Sequence, residues 1–226
     1  MEEFLSSIIP NVMDKLPKLY SSLQQTLIMV GWSGAVAFVI GLFFGVLITV
    51  CKPDNIMENK MVYHVIDKVV NFFRSVPFII LMVGLFSLSR FIMGTAIGVK
   101  GAIIPLIFGC VPFFTRQVEA ALAEVNPGLI EAAQSMGSSN LEIIFRVYLK
   151  ESIAGIARAT TITIINLIGL SAMAGAVGAG GLGDFAISYG HQRHQMDIIY
   201  VTIIILVILV NIVQLIGNYI EKKNIH

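Results

Sequence analysis

LYSSLQQTLIMVGWSGAVAFVIGLFFGVLITVC, from Leu19 to Cys51, holds no Asp, Glu, Lys or Arg. A helix of about 20 apolar residues spans the hydrocarbon of a bilayer, so this run crosses with length to spare. A single crossing already rules out a soluble globular fold. The same run holds Gly31, Gly34, Gly41 and Gly45, and spacings of three and four set small residues on one helix face where a neighbouring helix can approach closely. Generic packing explains this pattern as well as a specific pairing motif does.

Composition extends the reading to the whole chain. Of 226 residues, 56% are hydrophobic and only 13% charged, the balance of an integral membrane protein. A net charge of +1, with the cations scattered rather than gathered in a stripe, excludes nucleic acid as a partner. Cys51 ends one apolar run and Cys110 lies within another, so each reads as a small packing residue rather than half of a disulfide. The start, MEEFLSS, carries Glu2 and Glu3 where a secretory signal is basic, and places the mature start near Met1.

Four more crossings follow, giving an all-α polytopic protein with a single transmembrane domain over 1–226 and spans near 19–51, 61–89, 99–121, 157–183 and 198–220. The second begins with a polar stretch holding His64, Asp67, Lys68 and Asn71, which suits an interfacial start. Arg74, three residues before Pro77, either lines a pathway or snorkels to the interface. The third holds Pro105, Gly109 and Pro112, with Arg116 and Glu119 spaced to pair at i, i+3. The fourth is rich in Ala, Gly, Ser and Thr, which suits helices that must repack; Gly169, Ser171 and Met173 are its candidate pathway and gate residues, with plain packing the competing reading for Met173. The last carries Asn211, Gln214 and Asn218 at i, i+3, i+7, a polar stripe expected to face protein. Lys52, Lys60, Lys68, Arg116, Arg146, Lys150, Arg158, Lys222 and Lys223 fall on one side, against Lys15, Lys18, Arg90, Lys100 and Arg193 on the other. The richer side is cytoplasmic, leaving the N-terminus outside and the C-terminus inside.

Between the third and fourth spans lies a polar loop, 122–152, with strong helix signals. Asn126 is placed to cap a helix that has Pro127 at its first position. Leu129, Ala132, Ala133 and Met136 form the apolar face at i, i+3, i+4, i+7, with Glu131 and Gln134 opposite. Gly137 then supplies a left-handed stop, and Ser139 with Glu142 forms an S-x-x-E capping box for a second helix. The loop reads as two short helices joined by a turn specified on both sides.

The triplet Glu131, Ala132, Ala133 with Gly137 beyond it resembles the EAA loop of permease subunits of binding-protein-dependent ABC importers. Phe72–Met82 (FFRSVPFIILM), Pro112–Leu122 (PFFTRQVEAAL) and Gly169–Asp184 (GLSAMAGAVGAGGLGD) resemble the methionine importer branch of that family. The resemblance implies a multi-pass permease of the cell membrane that imports methionine, either stereoisomer or small relatives of it. It implies a cytoplasmic ATPase dimer that binds ATP and Mg2+ and an extracytoplasmic methionine-binding protein; five helices enclose little space alone, so a second copy of the chain is expected, with the pathway at the shared interface. The family has Leu-Pro after the loop; here Leu149 precedes Lys150, which implies a softer kink.

The residues themselves weigh against other classes. The chain lacks G-x-x-x-x-G-K-[ST], so the glycines of Gly175–Asp184 cradle no nucleotide and ATP belongs to a partner. An ion-gradient-driven secondary transporter is the alternative, but it calls for intramembrane carboxylates or paired broken helices, and Glu119 is the nearest candidate. No nucleophile with a base, or pair of carboxylates, suggests an enzyme. His191, His194 and Asp197 lack the further ligands a metal site requires, so neither metal nor cofactor is assigned to the chain.

Overall fold

The computed structural model describes residues 9–224, and all its regular structure is helical. The reading of Met1 lies outside the described residues. After a short helix α1 (Pro10–Met13), α2 (Leu16–Val50) follows the uncharged run; α3 (Lys60–Ser75), α4 (Phe78–Gly84) and α5 (Phe86–Met93) come next. Then come α6 (Gly98–Ala123), α7 (Pro127–Ser135), α8 (Asn140–Ile143), α9 (Leu149–Glu151), α10 (Ile153–Gly175), α11 (Gly181–Asp184) and α12 (Met196–Lys223). Among the described residues, four of these helices, α2, α6, α10 and α12, are long and apolar enough to cross a membrane.

Two expected spans differ from the structure. The stretch 61–89 is three helices rather than one: Pro77 lacks an N–H and pushes Val76 into extended backbone (φ −84°, ψ 124°), and Leu85 (φ −92°, ψ 2°) parts α4 from α5. The expected span 157–183 begins four residues early and ends at Gly175, where Gly178, Gly180 and Gly181 turn the chain with φ of +90°, +80° and +78°. Only glycine adopts such angles without a Cβ penalty.

The helices gather into two compact units. Among the described residues the first comprises 9–35, Pro77–Gly109 and Ile164–Val213. Val12, Phe185 and Ile198 form one buried cluster in it, with Leu19 and Tyr189 packed alongside. Its glycine turn is clasped by α2: Gly181 N–H donates to Gln25 Oε1 at 2.8 Å, and Leu182 N–H to Thr26 Oγ1 at 2.9 Å. Asp197 accepts from the Asn11 backbone N–H and side-chain amide, both at 3.0 Å. That carboxylate is engaged by the N-terminal segment rather than by His191 or His194.

The second unit comprises Val36–Val76, Cys110–Thr163 and the chain from Gln214 onward. Here α2 and α6 meet through glycines: a Cβ on Gly41 would lie 2.8 Å from Phe114 Cδ1, and one on Gly45 2.5 Å from Val118 Cγ1. One face of α3 buries Ile66 and Val70 against Ile48. Arg116 of α6 pairs with Glu119 at 2.6 Å, as the spacing suggests, and also with Asp67, while donating to Asn71 at 3.0 Å. The polar start of the second span thus supplies ligands for one arginine.

Candidate coupling loop and pathway residues

The loop folds as its capping signals dictate. Asn126 Oδ1 accepts from Gly128 N–H at 2.9 Å, and Pro127 starts α7 at a position where no N–H is needed. At the other end Ser138 N–H donates to Ala133 O at 3.0 Å and Gly137 N–H to Gln134 O at 2.9 Å, the two bonds of a Schellman stop, with Gly137 at φ +79°. One residue later the capping box is complete: Ser139 N–H donates to Glu142 Oε2 at 2.9 Å, and Glu142 N–H donates to Ser139 Oγ at 3.4 Å. The Ser139 backbone N–H, then its side chain, hold the Glu142 carboxyl below the ordinary carboxylate range, with Arg146 adding to the effect.

Burial corrects the expected apolar face of α7. Leu129, Ala132 and Met136 are exposed, Met136 by 79%, while Ala133 is buried and Ile130 packs beside it. The helix is therefore held by Ile130 and Ala133, and its other apolar residues point outward. After α8 the chain forms a π-helical turn, Ile144–Tyr148, before α9, and Ile143, Ile144 and Tyr148 are buried. This distortion lies immediately before Lys150, where the family pattern has proline, so the helix leaves α geometry without a missing N–H.

The buried loop residues join Val50 of α2 and Cys51 just beyond it, Phe114, Val118 and Leu122 of α6, and Ala159 of α10 in one apolar cluster. Two polar contacts reinforce it. Tyr148 Oη donates to Asn55 Oδ1 at 2.9 Å, and Ser152 Oγ to the Ala121 carbonyl at 3.3 Å. Burial raises the Tyr148 hydroxyl pKa, and the bond to Asn55 partly offsets this. Leu129 and Met136 are exposed, together with Glu131, whereas Leu141 and Phe145, also exposed, line an apolar groove with Val39, Phe43 and Met57. Leu141 and Phe145 escaped the sequence reading, although their i, i+4 spacing in the second helix was available as a signal.

The pathway candidates separate. Gly169 and Met173, one turn apart on α10, are both exposed, Met173 by 41%. Ser171 is not with them: it is buried on the other side of the helix, and its Oγ donates to the Ile168 carbonyl at 2.7 Å. Arg74 is exposed in the last turn of α3. The polar stripe of α12 is likewise uncovered in this chain; Asn211, Gln214 and Asn218 are exposed, and Asn211 Nδ2 donates to the carbonyl of Val207. The close contact on that helix is made instead by Gly217, where a Cβ would fall 2.0 Å from Thr161 Oγ1.

This arrangement has known counterparts. The chain is 46% identical over 144 residues to the D-methionine transport system permease protein MetI of Salmonella typhimurium, covering 64% of this chain and 66% of that protein. It is 42% identical over 153 residues to the methionine import system permease protein MetP of Bacillus subtilis, covering 68% of each. A solved structure of the MetNI methionine ABC transporter, in inward-facing conformations, superposes with a TM-score of 0.92 at 42% identity, covering 94% of this chain and 99% of the matched one. Residues 37–226 match the family described as the binding-protein-dependent transport system inner membrane component. A multi-pass helical chain carrying a doubly capped loop on its membrane helices therefore belongs to that family of transport permeases.

Proposed function

We propose that this chain is the permease subunit of an ATP-driven importer of methionine, accepting either stereoisomer and small relatives. It works as a pair of copies with a cytoplasmic ATPase dimer, which binds ATP and Mg2+, and with an extracytoplasmic binding protein that delivers substrate. The observation that carries this reading is the loop. It is fixed to α2, α6 and α10 through a shared apolar cluster, yet leaves Leu129, Glu131 and Met136 exposed. Such a surface suits docking of a partner, and such anchoring suits transmission of force. The MetI and MetP relatives, named for methionine transport, support the choice of substrate.

In this mechanism ATP binding closes the ATPase dimer and displaces both loops, and the helices around the pathway turn outward to receive substrate. Hydrolysis then resets the inward state. The loop and C-terminus are cytoplasmic and the N-terminus lies outside, as the bias of Lys and Arg supports. The broken segment Lys60–Met93 supplies the second of five crossings beside the four long helices. Gly169 and Met173 face the pathway, and Met173 narrows it at rest. Pairing covers the exposed polar stripe of α12, because polar groups in hydrocarbon need protein partners. The test is reconstitution in proteoliposomes with the ATPase and binding protein, followed by uptake of radiolabelled methionine. Uptake requiring ATP and both partners is expected; uptake driven by an ion gradient without ATP overturns the reading.

A further inference from the structure

Beside the base of the loop, α6 and α10 enclose a cleft of about 200 Å3, lined in part by Gln117, Ala120, Glu124, Gly155, Arg158 and Ile162. Its polar groups have opposite charge. Arg158 Nη2 donates to both oxygens of Glu124, at 2.8 and 2.9 Å, and its Nη1 lies 3.8 Å from Glu221 Oε1. At its floor Gly155 lets α10 approach α6 closely, a Cβ there falling 3.0 Å from Ala121 Cβ, and Ile162 supplies an apolar wall. On α10, Ile162, Gly169 and Met173 follow one another at i, i+7, i+11, one stripe of that helix.

A guanidinium and a carboxylate side by side, with an apolar wall beyond them, complement an α-amino acid that carries both charges and an apolar side chain. We propose that this cleft is a holding site at the inner mouth of the pathway for such a zwitterion. Arg158 receives the α-carboxylate, Glu124 the α-ammonium, and the side chain lies over Ala120, Gly155 and Ile162. In the empty cleft the two residues satisfy each other. Both are well exposed, 47% for Arg158 and 64% for Glu124, and exposed pairs contribute little to stability. A ligand that replaces each partner with a like charge therefore displaces the pair at small cost. Glu221 stays near the guanidinium and gives it a second carboxylate when Glu124 turns to the ligand. The site rests on the import reading above and adds a waypoint where released substrate pauses before reaching the cytoplasm.

The experiment uses the assembled transporter in proteoliposomes and a methionine analogue with a diazirine in place of the thioether, photolysed during turnover. Peptide mass spectrometry then maps the label. Labelling is expected within 117–124 and 155–162, and should be displaced by methionine but not by methioninol, which lacks the carboxylate. Arg158→Gln and Glu124→Gln should each lower it about threefold to fivefold, the scale of one lost exposed ion pair, while Arg158→Lys retains most of it. Absence of label from these segments in a preparation that imports methionine overturns the site and leaves the import reading intact. Equal labelling in Arg158→Gln overturns it too. A preparation with no ATP-dependent uptake at all counts against the import reading instead.

Discussion

Gly137 isolates one physical effect. Its φ is +79°, yet a Cβ there would meet no heavy atom within 4 Å among the described residues. Gly137→Val therefore costs backbone strain alone, roughly 1 to 2 kcal/mol, without a packing clash. We expect the variant to insert and to recruit the ATPase, but to hydrolyse ATP with reduced methionine uptake; wild-type uptake would show that the turn transmits nothing. Glu131→Lys should act differently. Glu131 is exposed beyond the first turn of α7, where the helix dipole is weak, so reversal should lower ATPase recovery in a pull-down rather than unfold the loop. Glu142 offers a test by pH. Its carboxyl is depressed in the folded loop, so the stability it contributes is present above the ordinary carboxylate range and is lost as pH falls through the lower folded value. A carboxyl NMR titration of Glu142 should have a low midpoint. Ser139→Ala should raise that midpoint only in part, because the backbone N–H remains.

The glycines of α2 show what packing adds to spacing. The sequence displays four glycines at helical intervals, but only Gly41 and Gly45 touch α6 closely, whereas a Cβ on Gly31 would meet nothing within 4 Å among the described residues. Gly45→Val should lower the thermal unfolding midpoint of the detergent-solubilised protein, at a cost of about 1 to 3 kcal/mol from forced overpacking. Gly31→Val should leave it within error. Local signals were legible where the chemistry is local: Asn126, Gly137, Ser139 and Glu142 announce caps formed with near neighbours. What could not be read depends on distant partners. Arg116 and Glu119 are visible as an i, i+3 pair, but Asp67 joins them from another helix, and no spacing encodes that contact. Ser171 stands apart from Gly169 and Met173 for the same reason, since only tertiary packing decides which side of α10 is buried. Leu129 and Met136 fitted the apolar stripe by spacing, whereas the chain buries Ala133, packs Ile130 beside it and leaves Leu129 and Met136 exposed.

The long apolar helices come from hydropathy, which is why an all-α membrane protein could be read directly. Broken helices are harder, because a proline or a run of glycines allows several continuations and tertiary contacts choose among them. Pairing of two copies leads to a further expectation. The active complex with its ATPase, weighed by native mass spectrometry, should contain two copies of this chain; a single copy in a complex competent for uptake would refute the pairing. The glycine turn after α10 also bears on how the chain is made. Gln25 and Thr26 bond backbone groups 156 residues later in the chain. At a synthesis rate of about 5 to 20 residues per second, that delay is roughly 8 to 30 s. During biogenesis α2 thus enters the bilayer with two polar side chains whose partners do not yet exist, and the nascent helix must keep water, lipid headgroups or the insertion machinery beside them until Gly181 and Leu182 emerge.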